Sequence, residues 1–398
     1  MQYKDCIKKI VGIQGVILKN VNNFGEVLNF NLETKPKLQT CPVCGHKTKK
    51  IHDYRFQKIR HYCLENSRVV YITLRKRRYV CKHCNKKFYE NYSFLQKYFR
   101  ITSSVYDKII SDLKSLKNFK TIAEENHVSV PSVVRYLHYE TLLNNKLNVF
   151  KLPKKIGIDE FKGNCNNTKY QFHIFGLETH KTVDIIESRS YDCLEQYFSK
   201  ITNRKEVELV SMDLYNPFKK IIKEKFVNAK IIADRFHYTR IILNALDTRR
   251  LNLWRNSKGY ERRYFKGYKR LLMKNLKNTT DKQKERLLYL FEQSPLLKEA
   301  YKLKEDFIKI KDLKTYEEKE KAFRKWLFDA ESSTLEEYAE VVKTLRQWHE
   351  YISNSFKYDY SNGPTEGKNN LIKTLKRISF GFRNLKNFRA RILLLDLN

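Results

Sequence analysis

The sequence lacks any apolar run long enough to span a membrane, and its opening residues, MQYKDCIKKI, lack the apolar core of a secretion signal. We therefore expect a cytoplasmic protein with no membrane partner. It also lacks a Walker phosphate loop, a GxGxxG turn and a Ser-His-Asp pattern, so no small-molecule substrate is indicated. No repeat or low-complexity tract interrupts its 398 residues, a length that suits two to four domains.

Acidic residues are scarce relative to basic ones. The chain holds 44 Asp and Glu against 80 Lys and Arg, which gives a formal net charge of +36. Such a surplus predicts a polyanionic partner, and double-stranded DNA is the expected one. The alternative is a Lys- and Asn-rich genome composition, but composition alone seldom leaves so large an imbalance. Bound to DNA, the protein would associate with the nucleoid.

Cysteines are few, but four of them stand in two CxxC pairs. The motifs CPVCG and VCKHCN supply Cys41, Cys44, Cys81 and Cys84. Each CxxC turn, or knuckle, presents two thiolates, and two knuckles complete a tetrahedral site. We therefore expect one structural Zn²⁺. The stretch between them predicts a hairpin with a turn near Glu65 and Asn66, hence a zinc ribbon. A neighbouring histidine could replace one thiolate, and the candidates are His46, His52, His61 and His83. The remaining cysteines read as ordinary thiols: Cys6, Cys63, Cys165 and Cys193.

Helical periodicity follows the zinc-ribbon segment. ITSSVYDKIISDLKSL predicts one helix, and KTIAEENHVSVPSVVRYLHYE predicts two more separated by a short turn. This pattern is typical of a helix-turn-helix that offers its second helix to a major groove. Its candidate DNA contacts are Ser132, Arg135 and Tyr136. A plain helical hairpin is the alternative.

The stretch KKIGIDEFKGNCNNTKYQFHIFGLETHKTVDIIES predicts an antiparallel meander with Asp159 on its first strand. An unpaired carboxylate in an apolar strand is costly, so Asp159 needs a partner; a salt bridge or a solvated strand end is the alternative. VSMDLY and ADRFHY each predict a strand that ends at an acid, Asp213 and Asp234, and continues into a helix. Parallel strands separated by helices should flank the first strand, so their acids project into one crevice.

Residues 241–355 predict a helical region whose first half is strongly basic, with phosphate-facing candidates Arg249, Arg250, Arg262 and Arg263. Its tryptophans, Trp254, Trp326 and Trp348, fit core or interface positions better than base stacking. SNGPTEGKNN then begins a last helix, on which Glu366, Asn370 and Lys373 share one face. Glu366 alone could be a helix cap. The basic residues that follow are candidates for phosphate contacts: Lys376, Arg377 and Arg383.

Two strand-end aspartates and a helical glutamate on one sheet form a set of hard oxygen ligands. Such ligands, with room for water and phosphate, select Mg²⁺ or Mn²⁺. Two ions in one site can clamp an in-line displacement at phosphorus. The sequence therefore predicts metal-dependent phosphodiester chemistry.

Several blocks, in this order, resemble the bacterial insertion-sequence transposases of the ISL-three family nearly end to end: CPVCG, VCKHC, TIAEENHVSVPSVVRYL, IGIDEFKG, VSMDLY, ADRFHY and SNGPTEGKNNLIKTLKRISFGFRN. The resemblance implies an RNase-H-like core with a helical domain inserted before the last acid. It implies a DDE triad of Asp159, Asp213 and Glu366, with Asp234 and His237 beside it. It also implies binding to terminal inverted repeats, 3′-end cleavage, strand transfer into target DNA and a homodimer on DNA.

The expected fold class is multidomain α/β: a zinc ribbon, a helix-turn-helix and an RNase-H-like mixed sheet interrupted by an all-helical insertion. The expected segments are 1–100 for the N-terminal strands and zinc ribbon, 101–150 for the helix-turn-helix, 151–240 for the first part of the catalytic core, 241–355 for the insertion and 356–398 for the final core helix and basic C-terminus. Two rival functions stay open: a metal-dependent nuclease that does not join ends, and a catalytically silent DNA-binding regulator.

Overall fold

The structure is a computed structural model that describes residues 12–61, 69–144, 149–358 and 360–396. The opening decapeptide, the expected turn near Glu65 and Asn66, and the thiols Cys6 and Cys63 lie outside these ranges. The chain forms two compact units: the first comprises residues 1–147, 377–380 and 386–398, and the second comprises residues 148–376 and 381–385. Within the described ranges, no helix is both long and apolar enough to cross a membrane.

The first unit begins with strands. These are β1 (Val16–Phe24), β2 (Val27–Thr34), β3 (Gln39–Thr40), β4 (Lys47–Thr48), β5 (Ile51–His61), β6 (Val69–Val80) and β7 (Lys87–Tyr89). Five of them form one sheet in the order β1-β2-β6-β5, with β7 paired to β6, while β3 and β4 form a separate pair. Strands β5 and β6 are antiparallel, from Ile51 opposite Tyr79 to His61 opposite Val70. This pairing confirms the hairpin expected between the two CxxC motifs.

Three helices follow in the first unit: α1 (Ser103–Lys114), α2 (Phe119–Glu125) and α3 (Val130–Leu143). The Asn118 side chain caps α2 by accepting a hydrogen bond from the Thr121 N–H at 2.8 Å. His127, at φ +48°, turns the chain between α2 and α3. Apolar residues spaced along the three helices close one core, so the helical periodicity expected here is confirmed.

The second unit is built on a five-stranded mixed sheet. Its strands are β8 (Lys155–Phe161), β9 (Gln171–Gly176), β10 (Lys181–Ile186), β11 (Leu209–Met212) and β12 (Lys230–Ala233), in the spatial order β10-β9-β8-β11-β12. Strands β8, β9 and β10 form the expected antiparallel meander, and β11 is parallel to both β8 and β12. The helices α4 (Tyr191–Ser199) and α5 (Asn216–Lys225) connect the later strands, as parallel pairing requires.

A long helical region follows the sheet. It comprises α6 (Arg235–Asn256), α7 (Gly259–Gly267), α8 (Lys269–Met273), α9 (Asp281–Gln293), α10 (Pro295–Ile310), α11 (Tyr316–Glu331), α12 (Glu336–Gln347) and α13 (His349–Lys357). Trp326 and Trp348 are buried in its core, which extends without a break from the sheet. The expected helical character of this region and the core role of these tryptophans are confirmed.

The last two helices are α14 (Gly363–Ile378) and α15 (Leu385–Leu394). In α15, Ala390 and Leu394 join the core of α1 to α3, and the buried Arg391 donates hydrogen bonds to the Ser115 and Lys117 carbonyls at 2.9 Å. Residues 386–398 thus belong to the first unit, whereas the sequence grouped 356–398 with the catalytic core. The difference arises because an apolar stripe does not specify which core it covers.

Candidate active site and zinc centre

Three aspartates come from three adjacent strands of the mixed sheet. Asp159 lies within β8, Asp213 directly follows β11, and Asp234 directly follows β12 as the N-cap of α6. Met212 pairs with Ala233 in the parallel register, so the next residue on each strand is an acid at the same edge. The carboxyl ends of parallel strands therefore gather these side chains, as the sequence pattern predicted.

The tightest group of metal-ligand atoms at this edge comes from Asp213, Asp234 and His237, whose atoms lie within 4.8 Å of one another. His237 Nε2 is 3.0 Å from Asp213 Oδ1 and 3.9 Å from Asp234 Oδ2. Asp213 Oδ1 is buried and accepts no well-aligned hydrogen bond from any described residue. An orphaned buried carboxylate oxygen beside an imidazole and a second carboxylate fits a divalent cation.

Burial and mutual repulsion perturb these acids. Burial raises the pKa of Asp159 to about 6. Burial, then repulsion from Asp159 and Asp234, raises the pKa of Asp213 to about 8. The pKa of Asp234 is also raised, chiefly by burial, and burial lowers the pKa of His237. The three carboxyl groups are thus close enough to repel one another, and a bound cation would relieve that repulsion.

Helix α14 is docked against the same edge through residues of the NGPTE motif. Asn362 donates its side-chain N–H to the Ile158 carbonyl at 3.1 Å and its backbone N–H to Asp234 Oδ1 at 3.2 Å. Gly157 permits this approach, because a Cβ there would lie 2.7 Å from Thr365 Oγ1 and 2.8 Å from Asn362 Oδ1. Glu366, exposed in the first turn of α14, acts electrostatically on Asp234 and His237.

The amide that meets the acidic cluster is Asn369, not the predicted Asn370. Asn369 Nδ2 donates to Asp159 Oδ2 at 2.6 Å, while its Oδ1 lies 2.7 Å from Nδ1 of the buried His173. Asn370 is exposed to solvent, and so is Lys373. One residue rotates the side chain by about 100° around a helix, which separates the two asparagines. Asn369 and His173 are site residues that the sequence reasoning missed.

An open cleft of roughly 340 Å³ adjoins the acids, and cationic side chains also line it. Its lining includes Asp213, His237, Glu160, Arg189 and Arg240. Arg189 Nη1 contacts both carboxylate oxygens of Glu160 at 2.6 Å, and Arg240 is exposed. Neither arginine was predicted from the sequence. The position of Arg240, three residues after His237 on one helix, was a usable signal.

The predicted triad of Asp159, Asp213 and Glu366 does not form one tight ligand set among the described residues. Asp159 and Asp213 interact directly, and Glu366 interacts with the neighbouring Asp234 and His237. All five residues therefore belong to one electrostatically connected edge of the sheet. Asp213 is central to it, because β11 lies between β8 and β12.

The four predicted zinc thiols converge in the first unit. Cys41 Sγ lies 3.5 Å from Cys84 Sγ, Cys44 Sγ lies 3.5 Å from Cys81 Sγ, and all four sulfurs lie within 4.8 Å of one another. A tetrahedral ion with Zn–S bonds of about 2.3 Å needs sulfurs about 3.8 Å apart, so these residues fit zinc. His46 and His83 stack on each other beside Cys44, with ring centroids 3.9 Å apart.

Each knuckle is a tight turn whose first cysteine is favoured as a thiolate. Gly45 at φ +72° and Asn85 at φ +54° donate their N–H groups to the carbonyls of Cys41 and Cys81, both at 3.0 Å. The backbone N–H of Cys44 is the main cause that lowers the pKa of Cys41 to about 6, and the N–H of Cys84 lowers the pKa of Cys81. Against the backbone N–H of His46, burial and the three neighbouring sulfurs raise the pKa of Cys44 to about 12. Zinc requires thiolates, so its binding would release the proton of that thiol.

Two of the predicted DNA contacts are corrected by their burial. Tyr136 is 4% exposed and packs in the core of α1 to α3, because its position on α3 falls on the inward stripe with Val133 and Leu137. Arg250 is 5% exposed; its guanidinium binds Asp247 and the Phe265 carbonyl, so it is part of the fold. Neither side chain can reach a phosphate without unfolding its surroundings.

The other predicted DNA contacts differ in their accessibility. Arg249 is half-buried and pairs with Glu337, Ser132 is half-buried with its hydroxyl on Ser129, and Lys376 donates to the Lys162 carbonyl. The remaining arginines are exposed, with Arg262 stacked over Trp254: Arg135, Arg262, Arg263, Arg377 and Arg383.

Comparison with known proteins identifies the class. A family model described as a transposase of the DDE type matches residues 156–392, and one described as the zinc-finger of transposase IS204/IS1001/IS1096/IS1165 matches residues 37–84. The acid-bearing sheet and the four-cysteine ribbon thus fall in the regions that define an insertion-sequence transposase. Because the first match covers more than half of the chain, the protein belongs to the ISL3 transposase family.

The curated relatives include two insertion-sequence transposases, one of which matches most of the chain. A transposase for insertion sequence element IS1001 of Bordetella parapertussis is 22% identical over 374 residues, 92% of this chain and 91% of its own. A transposase for IS1557 of Mycobacterium tuberculosis is 24% identical over 264 residues, 60% of this chain and 59% of its own. A Lactococcus lactis protein named ATP-dependent protease is 35% identical over 108 residues, 26% of this chain and 32% of its own. This sequence has no Walker loop that would bind ATP.

Proposed function

We propose that this transposase binds the terminal inverted repeats of its insertion sequence, cleaves the 3′ ends in a metal-dependent reaction and joins them to target DNA. The observation that carries the proposal is the convergence of Asp159, Asp213 and Asp234 at one sheet edge, where burial and repulsion raise all three pKa values. Acids at the edge of an RNase-H-like sheet would repel the phosphates of DNA, and divalent cations bound between them would offset this repulsion.

Asp159, Asp213 and Glu366 would hold two Mg²⁺ or Mn²⁺ ions, with Asp234 and His237 beside them. When bound, these ions supply the Lewis acidity for an in-line displacement at phosphorus. Asn369 and the Glu160 N–H fix the two oxygens of Asp159 at 2.6 and 2.7 Å. Hydrogen bonds of this kind orient a metal ligand before the metal arrives.

The chain's other residues bind and orient the DNA strand. Arg189 and Arg240 in the cleft offer charge-assisted hydrogen bonds to phosphate oxygens. Burial lowers the pKa of His237, and this residue contacts the scissile strand from the first turn of α6. These groups place the scissile phosphate against the acidic edge.

Two displacements follow in sequence. Water attacks the phosphorus at the transposon end, the bond to the 3′ oxygen breaks, and the oxygen leaves as a hydroxyl. That hydroxyl then attacks a phosphorus of target DNA, and a target 3′-hydroxyl leaves, so the number of phosphodiester bonds is conserved in the joining step. No covalent enzyme intermediate is needed.

End recognition is assigned to the first unit. We assign the helix-turn-helix to α2 and α3; Arg135 is exposed on α3, and the four cysteines precede these helices in the same unit. The net charge of +36 supports a DNA partner and a nucleoid location in the cytoplasm. Because two ends must be paired before joining, the active form is a homodimer on DNA.

The test is the Asp159→Asn variant. We expect it to bind a duplex carrying the element's terminal repeat as the parent protein does, but to cut no DNA in Mg²⁺ or Mn²⁺. Asp329→Asn, an exposed acid on α11, is the matched control and should cut normally. Cleavage by Asp159→Asn would refute the site assignment.

Joining is tested separately with pre-cut ends that already carry a free 3′-hydroxyl. A transposase inserts them into plasmid DNA, whereas a nuclease without joining activity leaves them free. A protein that binds ends but neither cuts nor joins would be the silent regulator.

A further inference from the structure

The loop after α14 presents a phenylalanine to solvent. Phe380 is 94% exposed, more than any other large apolar side chain among the described residues. Its backbone φ is +53°, in the left-handed region that a residue with a Cβ seldom adopts. Neither burial nor backbone preference therefore accounts for a phenylalanine at this position.

The hydrogen bonds at the end of α14 show which residue type is usual at position 380. The Phe380 N–H bonds to the Arg377 carbonyl at 3.1 Å, and the Gly381 N–H bonds to the Lys376 carbonyl at 2.9 Å. This is the Schellman pattern, in which the left-handed residue is usually glycine. Here the glycine stands one residue later, at φ +95°, and the phenylalanine takes the strained place. Strain retained at an exposed residue is a reason to look for a function at that residue.

The sequence on both sides of Phe380 is cationic. Between residues 371 and 395 it contains seven Lys and Arg and no acid. Arg377, three residues before Phe380, and Arg383, three residues after it, are both exposed. Neither guanidinium pairs with a carboxylate of any residue that the structure describes. An exposed aromatic ring beside an exposed guanidinium complements a nucleic-acid strand with an unstacked base, which offers a base face next to a phosphate.

We propose that Phe380 stacks on an unstacked base of the bound DNA, with Arg377 on a flanking phosphate. The proposal rests on the proposed function only in taking DNA as the partner. A lipid surface or a second copy of this chain is the competing occupant of an exposed aromatic.

The decisive variant is Phe380→Gly, because it separates stacking from folding. Glycine relieves the left-handed strain, so the thermal midpoint should stay equal or rise. Affinity for a terminal-repeat duplex, measured by fluorescence anisotropy in EDTA, should fall by about 5- to 100-fold with the loss of one stacked base. Phe380→Trp should restore the affinity. Phe328→Ala, which removes another exposed phenylalanine (66%) on α11, is the matched control and should bind as the parent.

A 2-aminopurine scanned through the terminal-repeat duplex identifies the base. One position should change fluorescence on binding the parent protein and not on binding Phe380→Gly. If Phe380→Gly binds DNA with parental affinity, or if it changes only vesicle binding or self-association, the proposal is overturned. Because the assay omits metal, failure of the cleavage mechanism would leave its result untouched, and the two failures are distinguishable.

Discussion

Replacing Asp213 by asparagine should stabilise the metal-free protein while removing its activity. Asp213 lies at the centre of the acidic edge, and burial, with repulsion from Asp159 and Asp234, raises its pKa from 3.8 to about 8. The folded state thus holds a carboxyl group that resists ionisation, whereas the unfolded chain ionises it freely. An amide of the same shape carries no charge at any pH and avoids this penalty.

The sign and size of the change in the free energy of unfolding follow from the linkage between folding and proton binding. Below the ordinary pKa of 3.8 the group is neutral in both states and has no effect. Between that value and about 8, each pH unit costs the folded state about 1.4 kcal/mol, so the upper limit is about 6 kcal/mol. Relaxation and sharing of protons with Asp159 and Asp234 reduce this, and we expect about 2–3 kcal/mol. For a unit of this size that corresponds to about 5–10 °C in the thermal midpoint.

Tryptophan fluorescence is the appropriate assay, because Trp254, Trp326 and Trp348 are the chain's three tryptophans and all lie in the second unit with the acids. In EDTA, the midpoint of Asp213→Asn should exceed that of the parent most clearly above pH 8. The difference should shrink as the pH falls towards 3.8. Mg²⁺ or Mn²⁺ at 100 times its dissociation constant should raise parental stability by about 2.7 kcal/mol and raise the variant less. Asp329→Asn should show neither effect.

Two results would refute the reasoning. Equal midpoints for Asp213→Asn and the parent above pH 8 in EDTA would mean that Asp213 suffers no repulsion. A variant less stable than the parent at every pH would mean that the carboxylate makes a stabilising contact, as a structural ion pair does.

Two further predictions concern the zinc centre and the support of Asp159. Cys84→Ser should lose the bound zinc and destabilise the first unit, measured by metal analysis and circular dichroism; a chelator should do the same, and Cys193→Ser should retain the metal. Retention of one zinc per chain by Cys84→Ser would show that the ligand set is wrong. Asn369→Ala should lower the cleavage rate by about 10- to 100-fold without changing DNA affinity, because it releases a metal ligand from its hydrogen bond. Asn370→Ala, one residue later and exposed, should cleave normally, and equal losses in both variants would remove the distinction that the structure draws between them.

Local patterns in the sequence were sufficient for the zinc ribbon and for the strand-end acids. A CxxC turn carries its own ligand geometry, so the four thiols could be predicted from spacing alone. Likewise VSMDLY and ADRFHY each contain the end of a buried strand followed by an acid, and each leads into a helix. The structure has these strands and helices where the sequence predicts them. These features depend on neighbours within a few residues.

Positions on helices were decided by tertiary packing. The sequence indicated an amide on α14, but only the docking of Asn362 against β8 selects Asn369 over Asn370. It indicated basic and aromatic contacts, yet Tyr136 and Arg250 face inward because their helices use those positions to close a core.

The sequence by itself determined the four zinc thiols, the acids at the strand ends and the order of helices and strands along the chain in the second unit, since those follow from residue identity and short-range periodicity; the class of protein was implied by resemblance to a family. The tertiary structure alone decided that α15 packs with the first unit, that Gly157 admits α14 to the acidic edge and that Phe380 is held outward. Periodicity states which residues share a face. Which core that face meets depends on contacts between residues far apart in the chain, and these appear only when the chain is folded.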